Sequence, residues 1–330
     1  MKRFALAALF VAAVGLAACG RSDDPLATGQ LENPYPSTYT PLPSDPVVIR
    51  NATILTGDGE RIEEGEILLK DGRIADIGRS VRAPRGATEI DAAGKWVTPG
   101  IIDTHSHLGV YPSPSVQQHS DGNEMTDPNT AQVWAEHSVW PQDPGFNTAR
   151  IGGVTSMQIL PGSANLFGGR SVTVKNVPSR TVQGMKFPDA PHGLKMACGE
   201  NPKNVYGLMR DRSPATRMGN VAGYRAAWVE ALDYRAKWED YEAGKSYGRP
   251  THDLQMETLL GVLDGEILVH NHCYRADEMA IMIDVAKEFG YSVTSFHHAV
   301  ESYKIADLHA DEYICSSCLL YTSPSPRDHG

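Results

Sequence analysis

The chain has 330 residues, 41% of them hydrophobic and 8% aromatic, with a formal net charge of -10. That length holds one large domain or two ordinary ones, and the composition is that of a globular protein with a substantial core. Lys2 and Arg3 are the only charges before Cys19, so the remainder carries -12 and offers no basic surface to nucleic acid or anionic lipid.

Residues 1–18 read as a targeting segment. Lys2 and Arg3 form its charged start, and Phe4 to Leu16 is an unbroken apolar and small-residue run, short for a membrane span. Leu16-Ala17-Ala18-Cys19 at the end of that run resembles a bacterial lipobox, in which Cys19 becomes a lipidated N-terminus. The expectation is an exported, membrane-anchored lipoprotein of a bacterial envelope, held by acyl chains rather than by a helix. Residues 19–46 carry Pro25, Pro34, Pro36, Pro41, Pro43 and Pro46 and no hydrophobic period, which reads as an extended, partly polyproline-like tether. The other cysteines, Cys198, Cys273, Cys315 and Cys318, follow no disulfide-framework spacing.

From Val47 the pattern turns to β. Short apolar runs alternate with turn signals, and Asp71-Gly72 is a strong hairpin signal. Residues 47–98 therefore make a small sheet leading into VTPGIIDTHSHLG, Val97 to Gly109. This stretch reads as a buried strand ending in His105-Ser106-His107. Residues two apart share a face, so Asp103, His105 and His107 point one way. Two imidazoles held side by side at a strand end form half of a metal site.

Residues 108–150 are a long polar insertion. Loops of that length are functional or disordered, and His119 and His137 within it read as surface residues. VTSMQIL is the next short strand, followed by a Gly/Ser/Asn-rich turn and a strand ending at Lys175. His192 to Ala197 is a candidate strand that contains Lys195, and burying an ammonium is costly unless it is paired. Apolar and aromatic residues recur at near-helical spacing over 216–243 and again over 253–264. Gly265 to His272 is a strand with His270 and His272 on one face. Asp277 to Phe289 is a helix stopped by Gly290. Tyr291 to His297 is a further strand; His297 and His298 face opposite ways, so only one is expected to point inwards. A helix begins at Ser302 to His309.

The element NATILTGDG, the run GEILLKDGRIADIG and above all IDAAGKWVTPGIIDTHSH resemble the amidohydrolase superfamily, and within it the imidazolonepropionase-like branch of secreted metal-dependent hydrolases. The resemblance runs from Val47 to about residue 311. It implies an α/β fold, a (β/α)8 barrel flanked by a β-sandwich, with one or two divalent metals, zinc foremost, at the C-terminal mouth of the strands. His105 and His107 would bind the more buried metal. Lys195 stands where such enzymes carry a strand-four lysine carboxylated by CO2 that bridges two metals; Glu200 as the acidic ligand, and an ordinary buried ion pair for Lys195, remain alternatives. HNHCYRAD resembles the family's HAHRAD, which assigns His272 as a ligand and puts Tyr274 in place of the second histidine; Tyr274 and Arg275 are then candidate substrate contacts. HHAVE resembles HGTE and assigns His298.

The end of the chain reads differently. CLLYTSPSPRD, from Cys318 to Asp328, back-translates to a string resembling a sequencing-library adapter. The expectation is a partial sandwich over 47–98, a truncated barrel of about six strands over 99–317 and a non-native tail over 318–330. The general-base aspartate that the family places on strand eight would be missing, strand five or six would have an unpaired edge, and this copy would be inactive. The parent activity expected is metal-dependent hydrolysis of an amide or peptide-like C–N bond in a small molecule or dipeptide. A mononuclear cyclic-amide hydrolase using His105, His107 and His272 and a non-catalytic binding lipoprotein are the rivals.

Overall fold

A computed structural model describes residues 34–317. The targeting segment, Cys19 and the non-native tail expected from the sequence lie outside the described residues. Among those described, no helix is long and apolar enough to cross a membrane.

The β-rich start folds as a five-stranded sheet made of β1 (Val47–Leu55), β2 (Arg61–Lys70), β3 (Arg73–Gly78), β4 (Thr88–Asp91) and β5 (Trp96–Val97). The strand order is β3-β2-β1-β4, with β5 also on β1. Asp71 and Gly72 both take positive φ, 52° and 70°, in the turn joining the antiparallel pair β2 and β3. Two positive φ values are what a two-residue hairpin on right-twisted strands requires, and glycine adopts one at little cost.

The second part is a wall of strands. β6 (Ile101–Ser106) runs parallel to β7 (Val154–Ile159). β8 (Phe167–Arg170) and β9 (Val172–Lys175) meet at Ser171 and join two sheets. β9 pairs antiparallel with β7, and β8 pairs antiparallel with β10 (Gly193–Ala197). β11 (Leu268–His272), β12 (Val293–His297) and β13 (Cys315–Ser317) then add in parallel. The architecture is a mixed α/β one, and the third position of the wall is an antiparallel segment rather than the parallel strand of a regular (β/α)8 barrel. No closed barrel forms among the described residues, but the edges differ from those expected. β11 and β12 are paired on both sides, and β6 and β13 are the outer strands. An edge position also corrects the expectation of a buried β6: Ile101 and Ile102 are 53% and 68% exposed, and burial begins only at His105.

Strand alternation divides the wall. Two short helices, α1 (Pro144–Ile151) and α2 (Glu200–Lys203), precede three longer ones. Leu194, Met196, Val269 and Phe296 face helices α3 (Arg217–Glu242), α4 (Leu254–Leu263) and α5 (Ala276–Phe289), forming the main core with Trp228, Tyr224, Leu259 and Met282. Trp228 is fully buried, with its ring 5.4 Å from that of Phe167 and 4.5 Å from that of Tyr291. The intervening strand residues face the other way and carry Lys195, His270 and His297.

Two segments that lack periodicity are nevertheless ordered. In the long insertion, the buried Asp143 carboxylate accepts from the backbone N–H groups of Gly109, Ser113 and Gly145. The described end of the expected tether is docked, not free. Thr38 N–H donates to the Gln183 carbonyl at 2.9 Å, Ser37 Oγ donates to the Lys186 carbonyl at 2.7 Å, and the Tyr35 ring packs edge-on against Trp134 and His137. A backbone N–H, the Ser37 hydroxyl and the Tyr35 ring make this docking without any regular element.

Trp228→Ala should lower unfolding free energy by about 3–5 kcal/mol in a denaturant titration. Trp96→Ala, at a position 56% exposed, should stay within about 0.5 kcal/mol of the parent.

Candidate metal centre

Six imidazoles and one lysine meet on the inner face of the wall. His105 is 2% exposed, His272 2%, His297 1% and Lys195 0%; His270 and His298 are also buried, and His107 is partly so. β10, β11 and β12 are in register here: Lys195 sits opposite His270, and His272 opposite His297. The His105 and His107 rings are 5.0 Å apart, with their Nε2 atoms 3.2 Å apart.

The expectation that only one of His297 and His298 points inwards is corrected. His297 Nδ1 lies 2.8 Å from His105 Nδ1, and its Nε2 lies 3.0 Å from His270 Nδ1. The His298 ring is 4.8 Å from that of His105 and 4.6 Å from that of His272. Both fit because His298 takes φ 56°. This left-handed turn directly after β12 ends the two-residue alternation, and it is uncommon for a residue other than glycine.

Burial dominates the electrostatics. It lowers His107 and His270 to about 4 and His297 to about 2, and it carries His105 and His272 well below the ordinary histidine range, with Lys195 adding to each shift. Burial alone lowers Lys195 to about 7. At neutral pH these five rings are neutral, which is the form that binds a metal. Lys195 Nζ has no hydrogen-bond partner, so the ordinary buried ion pair is not what the structure holds. Both ring nitrogens of His272 are likewise without a hydrogen bond.

These donors fit a divalent cation. The 3.2 Å between the two Nε2 atoms is close to the roughly 3.3 Å that separates two nitrogens on one tetrahedral ion at about 2.0–2.1 Å. Among the described residues, no three imidazole, thiol or carboxylate groups are arranged as a formed cage; several of the imidazoles hydrogen-bond one another instead.

The other sequence candidates fall around this cluster. The Tyr274 ring is 4.6 Å from His272 and 6.2 Å from His298, and burial raises its hydroxyl pKa. Arg275 is exposed at the start of α5, its guanidinium held by Asp277 at 2.7 and 2.9 Å. Glu200 is exposed at the start of α2 (Glu200–Lys203), in contrast to the enclosed Lys195. His119 and His137 are exposed. A cavity of about 490 Å³ lies under the insertion, lined by Val110, Asn123, Glu124, Trp134, Pro161 and Gly168 among others. One of its wall residues, Pro161, follows Leu160, whose carbonyl accepts from His107 Nδ1 at 2.8 Å.

Cys198 and Cys273 form a disulfide across 75 residues. Their spacing gave no sign of it, because the pairing is made by β10 and β11 lying side by side, one cysteine following each strand.

The wall is an α/β scaffold with buried histidines gathered on its inner face. No protein-family model matches the sequence. The crystal structure of an amidohydrolase from Thermotoga maritima MSB8 superposes with a TM-score of 0.76 at 37% identity, covering 82% of this chain and 69% of that one. The chain belongs to the amidohydrolase family. The amidohydrolase tasK of Hapsidospora irregularis is 32% identical over 321 residues, 87% of this chain and 32% of the relative. A D-hydantoinase of Rhizobium radiobacter is 47% identical over 62 residues, 19% of this chain and 13% of the relative. The chain thus spans about a third of the length of tasK.

Alkylating the denatured, unreduced chain should leave Cys198 and Cys273 unlabelled and joined in one cross-linked peptide. Replacing both by serine should cost roughly 4 kcal/mol in unfolding free energy, the chain-entropy value for a loop of this length.

Proposed function

We propose that the whole protein hydrolyses an amide or peptide-like C–N bond with the help of one or two divalent ions, zinc foremost. The observation that carries this is the convergence of buried, neutral histidines on a lysine that has no hydrogen-bond partner. His105 and His107 would hold one ion, and His272 and His298 a second. When bound, such an ion lowers the pKa of water to near neutrality and polarises the scissile carbonyl.

The chain's own groups do the rest. Lys195, with a pKa lowered to about 7, has a large free-amine fraction at neutral pH. Its nitrogen lone pair can attack CO2 and release one proton, leaving a carbamate that would supply anionic oxygen donors of the kind hard divalent cations take. The cavity lined by the insertion would receive a small substrate, and Tyr274, whose ring is 4.6 Å from that of His272, would contact it at the histidine cluster. Family membership and the amide-hydrolysing names of the relatives support the reaction class; the hydantoinase match supports cyclic amides within it. The Cys198–Cys273 disulfide supports an oxidising compartment, in keeping with export through residues 1–18 and lipidation at Cys19.

Equilibrium dialysis against zinc tests the reading. The wild-type chain should take up about two ions, as two-metal sites do. His105→Ala and His107→Ala should each lose at least one ion, and Lys195→Met should lose the pair's cooperativity. No zinc uptake by the wild type would overturn the proposal. Uptake of one ion that is indifferent to Lys195→Met would favour a mononuclear site. Carboxylate formation from a panel of dipeptides and cyclic amides by the full-length protein, measured with and without zinc, then identifies the substrate class.

A further inference from the structure

Three of the buried histidine contacts join into one chain whose direction can be derived. A neutral imidazole has one N–H donor and one bare acceptor nitrogen. The Leu160 carbonyl only accepts, so His107 Nδ1 must carry the hydrogen and His107 Nε2 is bare. His107 Nε2 therefore accepts from His105 Nε2 across 3.2 Å, which leaves His105 Nδ1 bare. His105 Nδ1 accepts from His297 Nδ1 at 2.8 Å, and the now bare His297 Nε2 accepts from His270 Nδ1 at 3.0 Å. His270 Nε2, bare in turn, faces Gln158 Nε2 at 3.1 Å, and the amide of Gln158 donates to it. The second amide hydrogen goes to Ser171 Oγ at 3.0 Å, which also accepts from Gly193 N–H at 2.9 Å. One carbonyl thus sets every tautomer, and the amide orientation at the far end agrees with it.

The far end is built around a missing side chain. A Cβ on Gly193 would lie 2.6 Å from His270 Cδ2, 2.6 Å from Ser171 Oγ and 2.9 Å from Gln158 Nε2. Only glycine lets these three groups meet.

We infer that His297, His270 and Gln158 form a reversible relay that positions His105 for metal binding, its N–H direction inverting when a divalent ion occupies His105 and His107. The inference rests on the reading of His105 and His107 as ligands through Nε2. In the direction derived above, His105 Nε2 carries a hydrogen and cannot be a ligand. Binding through that atom requires the hydrogen on Nδ1 instead. His105 Nδ1 then donates to His297 Nδ1, His297 Nε2 donates to His270 Nδ1, and His270 Nε2 donates to Gln158. The Gln158 amide turns over to offer Oε1, which also accepts from the Ser171 hydroxyl. The proton leaving His105 Nε2 for water is matched by one taken up from water at His270 Nε2, so each ring keeps one hydrogen and none becomes charged. No hydrogen bond between the relay residues is lost in either direction.

Ring nitrogen NMR on the full chain labelled with 15N-histidine tests this directly, since protonated and bare nitrogens resonate far apart. Without metal, His297 and His270 should both be protonated at Nδ1; with zinc bound, both should be protonated at Nε2. Zinc affinity gives a second measurement. Gln158→Met can neither donate nor accept and should weaken binding by about ten- to a hundredfold, the usual effect of losing a ligand's supporting partner. Gly193→Ala, which drives a methyl group into the same junction, should do likewise. Gln158→Glu, an acceptor only, should bind zinc at least as tightly as wild type, which a merely structural role for Gln158 would not allow. Zinc uptake that shifts His105 and His107 while His297 and His270 stay protonated at Nδ1 overturns the relay alone, as does equal weakening by Gln158→Met and Gln158→Glu. Absence of any shift at His105 and His107 sinks the metal reading and the relay together.

Discussion

Burial of neutral imidazoles on one face of a strand wall is the constraint on which the rest of this structure depends. The opposite face of the same strands is apolar and packs on α3, α4 and α5 around Trp228. That packing fixes the strands, and the strands then hold the inner face in place. Polar groups brought out of water must find partners or remain at high free energy. Here the rings partner one another, and Lys195 and His272 are left over. On the proposed reading, a cation would satisfy the His272 nitrogens that are left without partners.

The scaffold meets this demand with departures from a regular barrel. β8 and β9 fill the third position antiparallel to their neighbours and bend at Ser171, and that bend delivers the Ser171 hydroxyl to Gln158 and Gly193. His298 leaves the strand geometry at φ 56° so that two consecutive histidines reach one cluster. The Cys198–Cys273 bond ties β10 to β11 just beyond Lys195 and His272. Each departure lies beside the histidines, where strained or irregular backbone is most often retained.

The insertion after β6 and the docked segment around Tyr35 belong to the same design. Asp143 gathers three backbone N–H groups and so gives the insertion a fixed shape. Trp134 and His137 receive Tyr35 and also line the cavity. A long connection on the mouth of an α/β barrel is where substrate selection is usually placed.

Much of this was legible from local pattern alone. The two-residue period of a strand assigned His105 and His107 to one face, Asp71-Gly72 marked the hairpin, and apolar spacing located α3, α4 and α5 within a few residues. The same period misled at His297 and His298, because it holds only while the strand lasts, and where a strand ends is decided by contacts with β11 and β13. Ile101 and Ile102 looked buried by composition, yet their exposure depends on which strand lies beside β6. Sequence separation carried no trace of the Cys198–Cys273 pair or of Gln158 meeting His270 across 112 residues. The sequence by itself determined which residues share a face, since that follows from backbone geometry within a few residues. Only the tertiary structure decided which faces meet, because that depends on the order of strands in the sheet and on one residue, His298, leaving the strand at the right place.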